Sequence, residues 1–156
     1  MKNQCEINSL SEQLNSSGVI SFVPGGNSMW PTLKNKGQSV VVAKKTMPLN
    51  KYDVALFVHE KAGLVLHRVI NVIDGGYITC GDSQFTVEKV GEGDVLGVMI
   101  GYYIKDRYVD VSCPKYKRKI ERWYKHKRLR KFKIKRFYFH LAVKSKLKRI
   151  FSKKGK

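Results

Sequence analysis

Between residues 19 and 111, the apolar segments of the chain are short and are separated by turns that contain glycine. Two of the clearest turns are residues 24–27 (Pro-Gly-Gly-Asn) and residues 74–76 (Asp-Gly-Gly). Short apolar segments rich in β-branched side chains, bounded by such turns, predict strands rather than helices. The predicted strands cover residues 19–23, 39–43, 53–58, 64–72, 77–80, 95–104 and 107–111. Without an alternation of strands and helices, this pattern predicts a mostly β fold class.

The residues before the first predicted strand have a different periodicity. Ile7, Leu10 and Leu14 are spaced three and four residues apart, which predicts a short amphipathic helix over residues 6–16. Residues 1–18 are therefore expected to form an N-terminal helical lead. They contain no central apolar segment of the kind found in secretory signals, so we expect no secretory signal.

The charge of the chain changes abruptly after residue 114. Residues 1–114 contain 11 Lys and Arg and 11 Asp and Glu, whereas residues 115–156 contain 20 basic residues and 1 acidic residue. The basic residues are interleaved with apolar and aromatic ones at helical spacing, which predicts a cationic amphipathic helical tail. The expected organisation is thus a neutral domain over residues 19–114, followed by a basic helical tail over residues 115–156.

One loop has the sequence properties of a nucleophile site. Residues 26–33 read Gly-Asn-Ser-Met-Trp-Pro-Thr-Leu, so that Ser28 follows a glycine-rich turn and precedes a proline that stiffens the exit. A serine in such a loop can expose its hydroxyl while nearby amides converge on one point, as a nucleophile with an oxyanion site requires. Gly-x-Ser turns are common, however, and this loop alone does not establish catalysis.

Two further segments supply the partners that a serine nucleophile needs. His67 lies in the middle of an apolar strand, and Asp82 follows Gly81 at the end of another. A lone histidine in a strand is usually structural, and Gly-Asp at a strand end is usually a turn. The three segments together, in this order, are much less readily explained by chance.

The order of Gly-x-Ser-Met-x-Pro-Thr-Leu, a strand with His-Arg-Val-Ile, and Gly-Asp resembles the S24/S26 peptidase superfamily, which includes the type I signal peptidases. The resemblance extends over residues 19–104. It implies a β-rich, signal-peptidase/LexA-like peptidase domain. It also implies a serine endopeptidase that cleaves a leader or signal peptide through an acyl-enzyme, with Ser28 as the nucleophile. His67 stands where many members have a lysine general base, so the chain resembles the version of the family with a histidine base.

The resemblance also suggests roles for neighbouring residues. Either Asp82 or Glu88 is expected to orient His67. Asp82 is slightly preferred because its Gly-Asp motif is intact, whereas Glu88 stands about where family members place a second acid, an aspartate. The oxyanion and substrate-binding residues are expected to be Gly26, Asn27, Met29, Val19 and Phe22, with the amide of Ser28 as the natural oxyanion donor.

Cofactors and metal ions are not expected. The chain has 3 cysteines, Cys5, Cys80 and Cys113, and their spacing is not that of a metal site. The expected partner is a peptide or protein substrate that carries a leader or signal sequence.

Three interpretations of residues 115–156 remain open: binding to an anionic membrane surface, binding to nucleic acid, and a solvated extension that packs on the domain. The membrane surface is favoured, because relatives act at membranes and no nucleic-acid-binding motif is present. No apolar segment reaches the roughly 20 residues that a spanning helix needs. The expected location is therefore the cytoplasm, or the periphery of the cytoplasmic membrane, of a bacterial-type cell. The alternative function is a catalytically silent relative that binds membrane or nucleic acid through its tail.

Overall fold

A computed structural model describes residues 2–34 and 37–153, with side chains over residues 7–34 and 37–146. The chain divides into two compact units, Met1–Arg118 and Lys119–Lys156. The division falls inside a helix, and each unit is described here by itself.

Three α-helices and eight strands make up the described chain. The α-helices are α1 (Lys2–Ser17), α2 (Pro114–Lys125) and α3 (Lys127–Lys153). The strands are β1 (Val19–Phe22), β2 (Val40–Lys44), β3 (Val54–His59), β4 (Gly63–Ile73), β5 (Gly76–Cys80), β6 (Glu88–Gly91), β7 (Val95–Ile104) and β8 (Arg107–Asp110). A single 3-10 turn, Glu92–Asp94, connects β6 to β7.

The eight strands form one curled antiparallel sheet, in which seven strands follow the order β1-β2-β7-β3-β4-β5-β6 and β8 pairs with β7 outside this order. Strand β7 is long enough to pair with β2 on one side and with two strands in succession on the other. Its first residues pair with β3, and its last residues pair with β8. Strand β7 therefore links β2, β3 and β8, and each of β1, β6 and β8 pairs with a single neighbour.

All seven strands predicted from the sequence are confirmed, but β6 was missed. Its sequence is Glu-Lys-Val-Gly, in which Val90 is the one apolar residue and lies buried in the core. The chain as a whole is mixed α/β rather than mostly β. The physical reason is that α1, α2 and α3 contain 16, 12 and 27 residues, whereas most strands of the sheet are short.

Helix α1 packs on the sheet through an apolar face, as the spacing of its leucines predicts. Leu14 is 2% exposed and lies over Gly97 of β7. A β-carbon at position 97 would come within 2.6 Å of both the carbonyl oxygen of Ala43 and the side chain of Val42. A glycine is required there because helix and strands approach too closely for any larger residue. A core cluster in the same unit contains Leu49, Ala55, Phe57, Val69, Tyr77, Val90 and Val95.

The second unit contains the end of α2 and all of α3. Aromatic rings of α2 accept cation–π contacts from basic residues of α3: Arg130 lies 4.5 Å from the ring centre of Tyr124, and Lys133 lies 6.0 Å from that of Trp123. Across the described residues, no helix is both long enough and apolar enough to cross a membrane.

Candidate active site

A cavity of about 590 Å³ opens at the serine loop of the first unit. Ser28, His67 and Glu88 all contribute to its lining, and each comes from a different segment: the loop after β1, strand β4 and the start of β6. Apolar side chains supply much of the remaining wall, among them Leu10, Phe22, Met29, Leu56 and Leu66. The cavity thus combines a hydroxyl, an imidazole and a carboxylate with an apolar surface.

The loop that carries Ser28 is compact. Gly26 has a φ of +78°, in the left-handed region that residues with a β-carbon avoid. Two hydrogen bonds then close the chain after the serine: the amide of Trp30 donates to the carbonyl of Asn27 at 3.0 Å, and that of Leu33 donates to Met29 at 2.9 Å. Met29 is buried, whereas Ser28 is only half-buried and lines the cavity.

A second turn, residues 81–84, is hydrogen-bonded to the backbone of the serine loop. The carbonyl oxygen of Ser28 accepts hydrogen bonds from the Ser83 amide at 2.8 Å and from the Ser83 hydroxyl at 3.1 Å. The same hydroxyl lies 2.8 Å from the carbonyl oxygen of Asn27. Gly81 is required by this contact, since a β-carbon there would lie 2.8 Å from the Ser28 carbonyl oxygen. Asp82 in this turn was predicted as a site residue, whereas the contacts of Ser83 were not predicted from the sequence.

His67 and Arg68 are neighbours on β4 and lie in different environments. Successive side chains of a strand extend to opposite faces of the sheet. His67 lines the cavity and is 5% exposed, whereas Arg68 is fully buried against Asp82. Strand β4 therefore places His67 in the cavity wall and Arg68 in the interior of the unit.

Glu88 is the acid that contacts the imidazole. Its Oε2 lies 3.1 Å from Nδ1 of His67. The side chain of His67 is 7% exposed and that of Glu88 is 30% exposed, so the pair lies at the wall of the cavity with the carboxylate partly in solvent. The pairing of β5 with β6 sets Glu88 opposite Thr79, which brings the carboxylate within reach of β4. An acceptor at Nδ1 favours the tautomer in which Nε2 lacks a proton.

Asp82 has a different partner, and the slight preference for it as the orienting acid does not agree with the structure. Its Oδ1 accepts a hydrogen bond from Nε of Arg68 at 2.7 Å, and its Oδ2 accepts one from NH2 at 2.7 Å. Thr32 also donates its hydroxyl to Oδ2. The physical reason is that a fully buried guanidinium needs an acid beside it, and Asp82 is fully buried at that point.

The remaining donors of Arg68 connect this ion pair to the rest of the unit. NH1 donates to the carbonyl oxygen of Tyr52 at 2.8 Å, and NH2 lies 3.2 Å from the hydroxyl of Tyr116. Burial raises the pKa of Tyr116 by more than the neighbouring guanidinium of Arg68 lowers it. The network joins three residues: Thr32 in the segment after Ser28, Arg68 next to His67, and Asp82 in the turn that contacts Ser28. It therefore fixes the relative positions of these segments.

The other predicted site residues are only partly brought together. Gly26, Met29 and Phe22 line the cavity. Asn27 and Val19 are not among the residues that line it. The carbonyl of Asn27 is turned toward Ser83, and Val19 lies at the far end of β1, where it pairs with Ala43.

Metal and thiol chemistry have no assembled site in the described part of the chain. No group of three or more His, Cys, Asp or Glu side chains is arranged there to hold a metal ion. Cys80 is buried, with its Sγ 3.3 Å from the carbonyl oxygens of both Gly81 and Gln84, and Cys113 is exposed, while the side chain of Cys5 lies outside the described residues.

In comparisons with known proteins, no protein-family model, no curated protein and no solved structure matches the chain.

Proposed function

We propose that the protein is a serine endopeptidase of the signal-peptidase type, in which Ser28 is the nucleophile and His67 the general base. The single observation that carries the proposal is the lining of one cavity by Ser28, His67 and Glu88, with Glu88 3.1 Å from Nδ1 of the imidazole. Nucleophile, base and orienting acid are the three parts of serine-hydrolase chemistry. The resemblance of residues 19–104 to the S24/S26 superfamily supports the same assignment, including a signal-peptidase/LexA-like fold.

The proposed reaction begins when the Ser28 hydroxyl attacks the carbonyl carbon of the scissile peptide bond. Nε2 of His67 takes the serine proton, and Glu88 accepts a hydrogen bond from Nδ1 and stabilises the imidazolium. The backbone amide of Ser28 is the proposed oxyanion donor, with those of Gly26 and Asn27 as neighbours.

The two halves of the reaction are joined by an acyl-enzyme. Collapse of the tetrahedral intermediate breaks the C–N bond, and His67 returns its proton to the leaving amine. Water then attacks the ester carbonyl and His67 accepts a proton from it. Collapse of the second tetrahedral intermediate breaks the C–O bond, and His67 returns the proton to the Ser28 oxygen.

The proposed substrate is a leader or signal peptide in an extended conformation. Strand β1 is an edge strand whose last residue, Phe22, lines the cavity, so a peptide can pair along β1 and pass Ser28. The apolar wall formed by side chains such as Leu10, Met29 and Leu66 suits small or apolar substrate residues near the cut.

The proposal is tested with an active-site-directed fluorophosphonate, read out by intact mass and peptide mapping. We expect an adduct on Ser28 of the wild-type protein and none with Ser28→Ala or His67→Ala. Ser145→Ala and His126→Ala are the matched controls, because both side chains are exposed in the second unit, Ser145 on α3 and His126 between α2 and α3. These two variants should label as the wild type does.

A peptide panel completes the test, because a nucleophile can resist one reagent and still cleave its substrate. The panel contains leader-type peptides with small residues before the candidate cut. A wild-type protein that forms no adduct and cleaves no peptide would contradict the proposal. Cleavage that persists in Ser28→Ala would contradict it equally.

A further inference from the structure

Helix α3 has one buried side, which follows the helical repeat. Arg130 and Ile134 are buried, and Phe137 and Leu141 are half-buried, at spacings of four, three and four residues. Tyr138, although adjacent to Phe137, is 43% exposed. The side of α3 that carries these four residues is therefore its least exposed side.

A second apolar set lies on the opposite side of the same helix. Leu129, Phe132, Phe139 and Val143 are 50%, 62%, 67% and 39% exposed. At 3.6 residues per turn these positions fall within an arc of about 80° and extend over about 21 Å of the helix. We refer to these four residues as the apolar stripe. Two exposed phenylalanines in line with two exposed aliphatic residues are not explained by the packing of the unit itself.

Only positive charges accompany the apolar stripe. Helix α3 contains 12 Lys and Arg and no Asp or Glu. Arg128 and Lys135 follow one border of the stripe, Lys133 follows the other, and Arg136 lies within it; all four are exposed. A surface that fits this helix is negatively charged where the cations lie and apolar beneath the stripe.

We propose that α3 binds in the plane of an anionic lipid bilayer. The apolar stripe enters the boundary between head groups and acyl chains, and the flanking lysines and arginines contact lipid phosphates. An apolar stripe between cationic borders is the arrangement that an interfacial helix requires, and neither element alone suffices for stable attachment. The partner is thus a lipid surface of net negative charge.

Nucleic acid fits the same helix less well. Its phosphates would satisfy the cations, and bases could stack on Phe132 and Phe139. The two ends of the stripe, Leu129 and Val143, are aliphatic and offer no ring for stacking. Their exposure is explained by an acyl layer and not by a polynucleotide.

The experiment is flotation of the full chain with phosphatidylcholine vesicles, prepared with and without phosphatidylglycerol. We expect flotation with the anionic vesicles only, weakened but not abolished by high salt. The double variant Phe132→Ser/Phe139→Ser should lower the partition coefficient by about tenfold or more, because it removes the apolar part and keeps every charge. Tyr138→Ser is the matched control, since Tyr138 is an exposed aromatic residue on the same helix but outside the stripe.

Far-UV circular dichroism of each variant establishes that α3 remains helical, so that lost binding is not lost folding. The proposal is overturned if the helical double variant floats as the wild type does. It is also overturned if neutral vesicles bind the protein as well as anionic ones do. A protein that binds neither type of vesicle but binds a short single-stranded RNA would overturn it too. Peptide cleavage is not part of the readout, so this result is independent of the proposed protease activity.

Discussion

The guanidinium of Arg68 and the carboxylate of Asp82 form a two-pronged ion pair, with both contacts at 2.7 Å and both side chains fully buried. This pair lies behind the candidate site, whereas Glu88 lies in its wall. The two acids that the sequence left as alternatives are therefore expected to respond differently to substitution.

Asp82→Asn should destabilise the first unit. The variant leaves a buried guanidinium without its counter-charge, which typically costs about 3–5 kcal/mol. The measurement is the free energy of unfolding from urea denaturation. Asp106→Asn is the control, because Asp106 is exposed in the turn between β7 and β8 and should change stability little. An Asp82→Asn variant as stable as the wild type would mean that the ion pair does not hold the site together.

Glu88→Gln should lower peptidase activity and leave stability nearly unchanged. The amide keeps the shape of the side chain but loses the charge that stabilises the imidazolium, so kcat should fall by about tenfold or more. Because the Glu88 side chain is 30% exposed, the free energy of unfolding should change by less than about 1 kcal/mol. Glu60→Gln, at an exposed turn, serves as the comparison in the same assays. Equal kcat values for the two variants would remove Glu88 from the mechanism.

Gly81→Ala should disturb the nucleophile through the backbone. The added β-carbon would lie 2.8 Å from the Ser28 carbonyl oxygen, and that group cannot move without moving the serine. We expect kcat to fall by about tenfold or more, since misplaced reacting groups lose the benefit of orientation. Gly93→Ala adds the same methyl group where nothing lies within 4 Å and should keep full activity. Retained activity in Gly81→Ala would show that the turn does not position Ser28.

Stability should depend on pH through Tyr116 at the alkaline end. Burial raises the pKa of this phenol in the folded state from the ordinary value of 10.0. Above about pH 10 the unfolded chain releases the Tyr116 proton while the folded chain keeps it, so the stability contributed by this group falls as pH rises. The advantage of the wild type over Tyr116→Phe in free energy of unfolding should therefore shrink as pH rises past about 10. An advantage that grows over this range would contradict the assignment.

The sequence was sufficient for seven of the eight strands and for the serine loop, because these depend on local chemistry. Apolar segments between glycine turns gave seven of the eight strands, and Gly26, with its positive φ, lies in the turn that precedes Ser28. Strand β6 could not be found in this way. Its sequence has one apolar side chain, Val90, and the strand exists because it pairs with β5.

The choice between the two acids depended on that missed strand. Glu88 comes within reach of His67 only through the register of β6 on β5, which local sequence does not determine. A signal for the role of Asp82 was nevertheless present. An arginine in the middle of an apolar strand must find a buried acid, and Asp82 lies two residues after the end of β5, the neighbour of β4. Reasoning from Arg68 rather than from His67 would have assigned Asp82 to the interior.

The alternation of His67 and Arg68 along β4 limits where this chain can gain or lose residues. One residue inserted in β4 ahead of His67 would reverse the faces, with a guanidinium directed to the cavity and an imidazole left beside the carboxylate of Asp82. The same insertion in residues 60–62, between β3 and β4, would lengthen a surface turn and leave both side chains in register. Variation in length is therefore expected to accumulate at the tip of this hairpin, while the length of its strands stays constant.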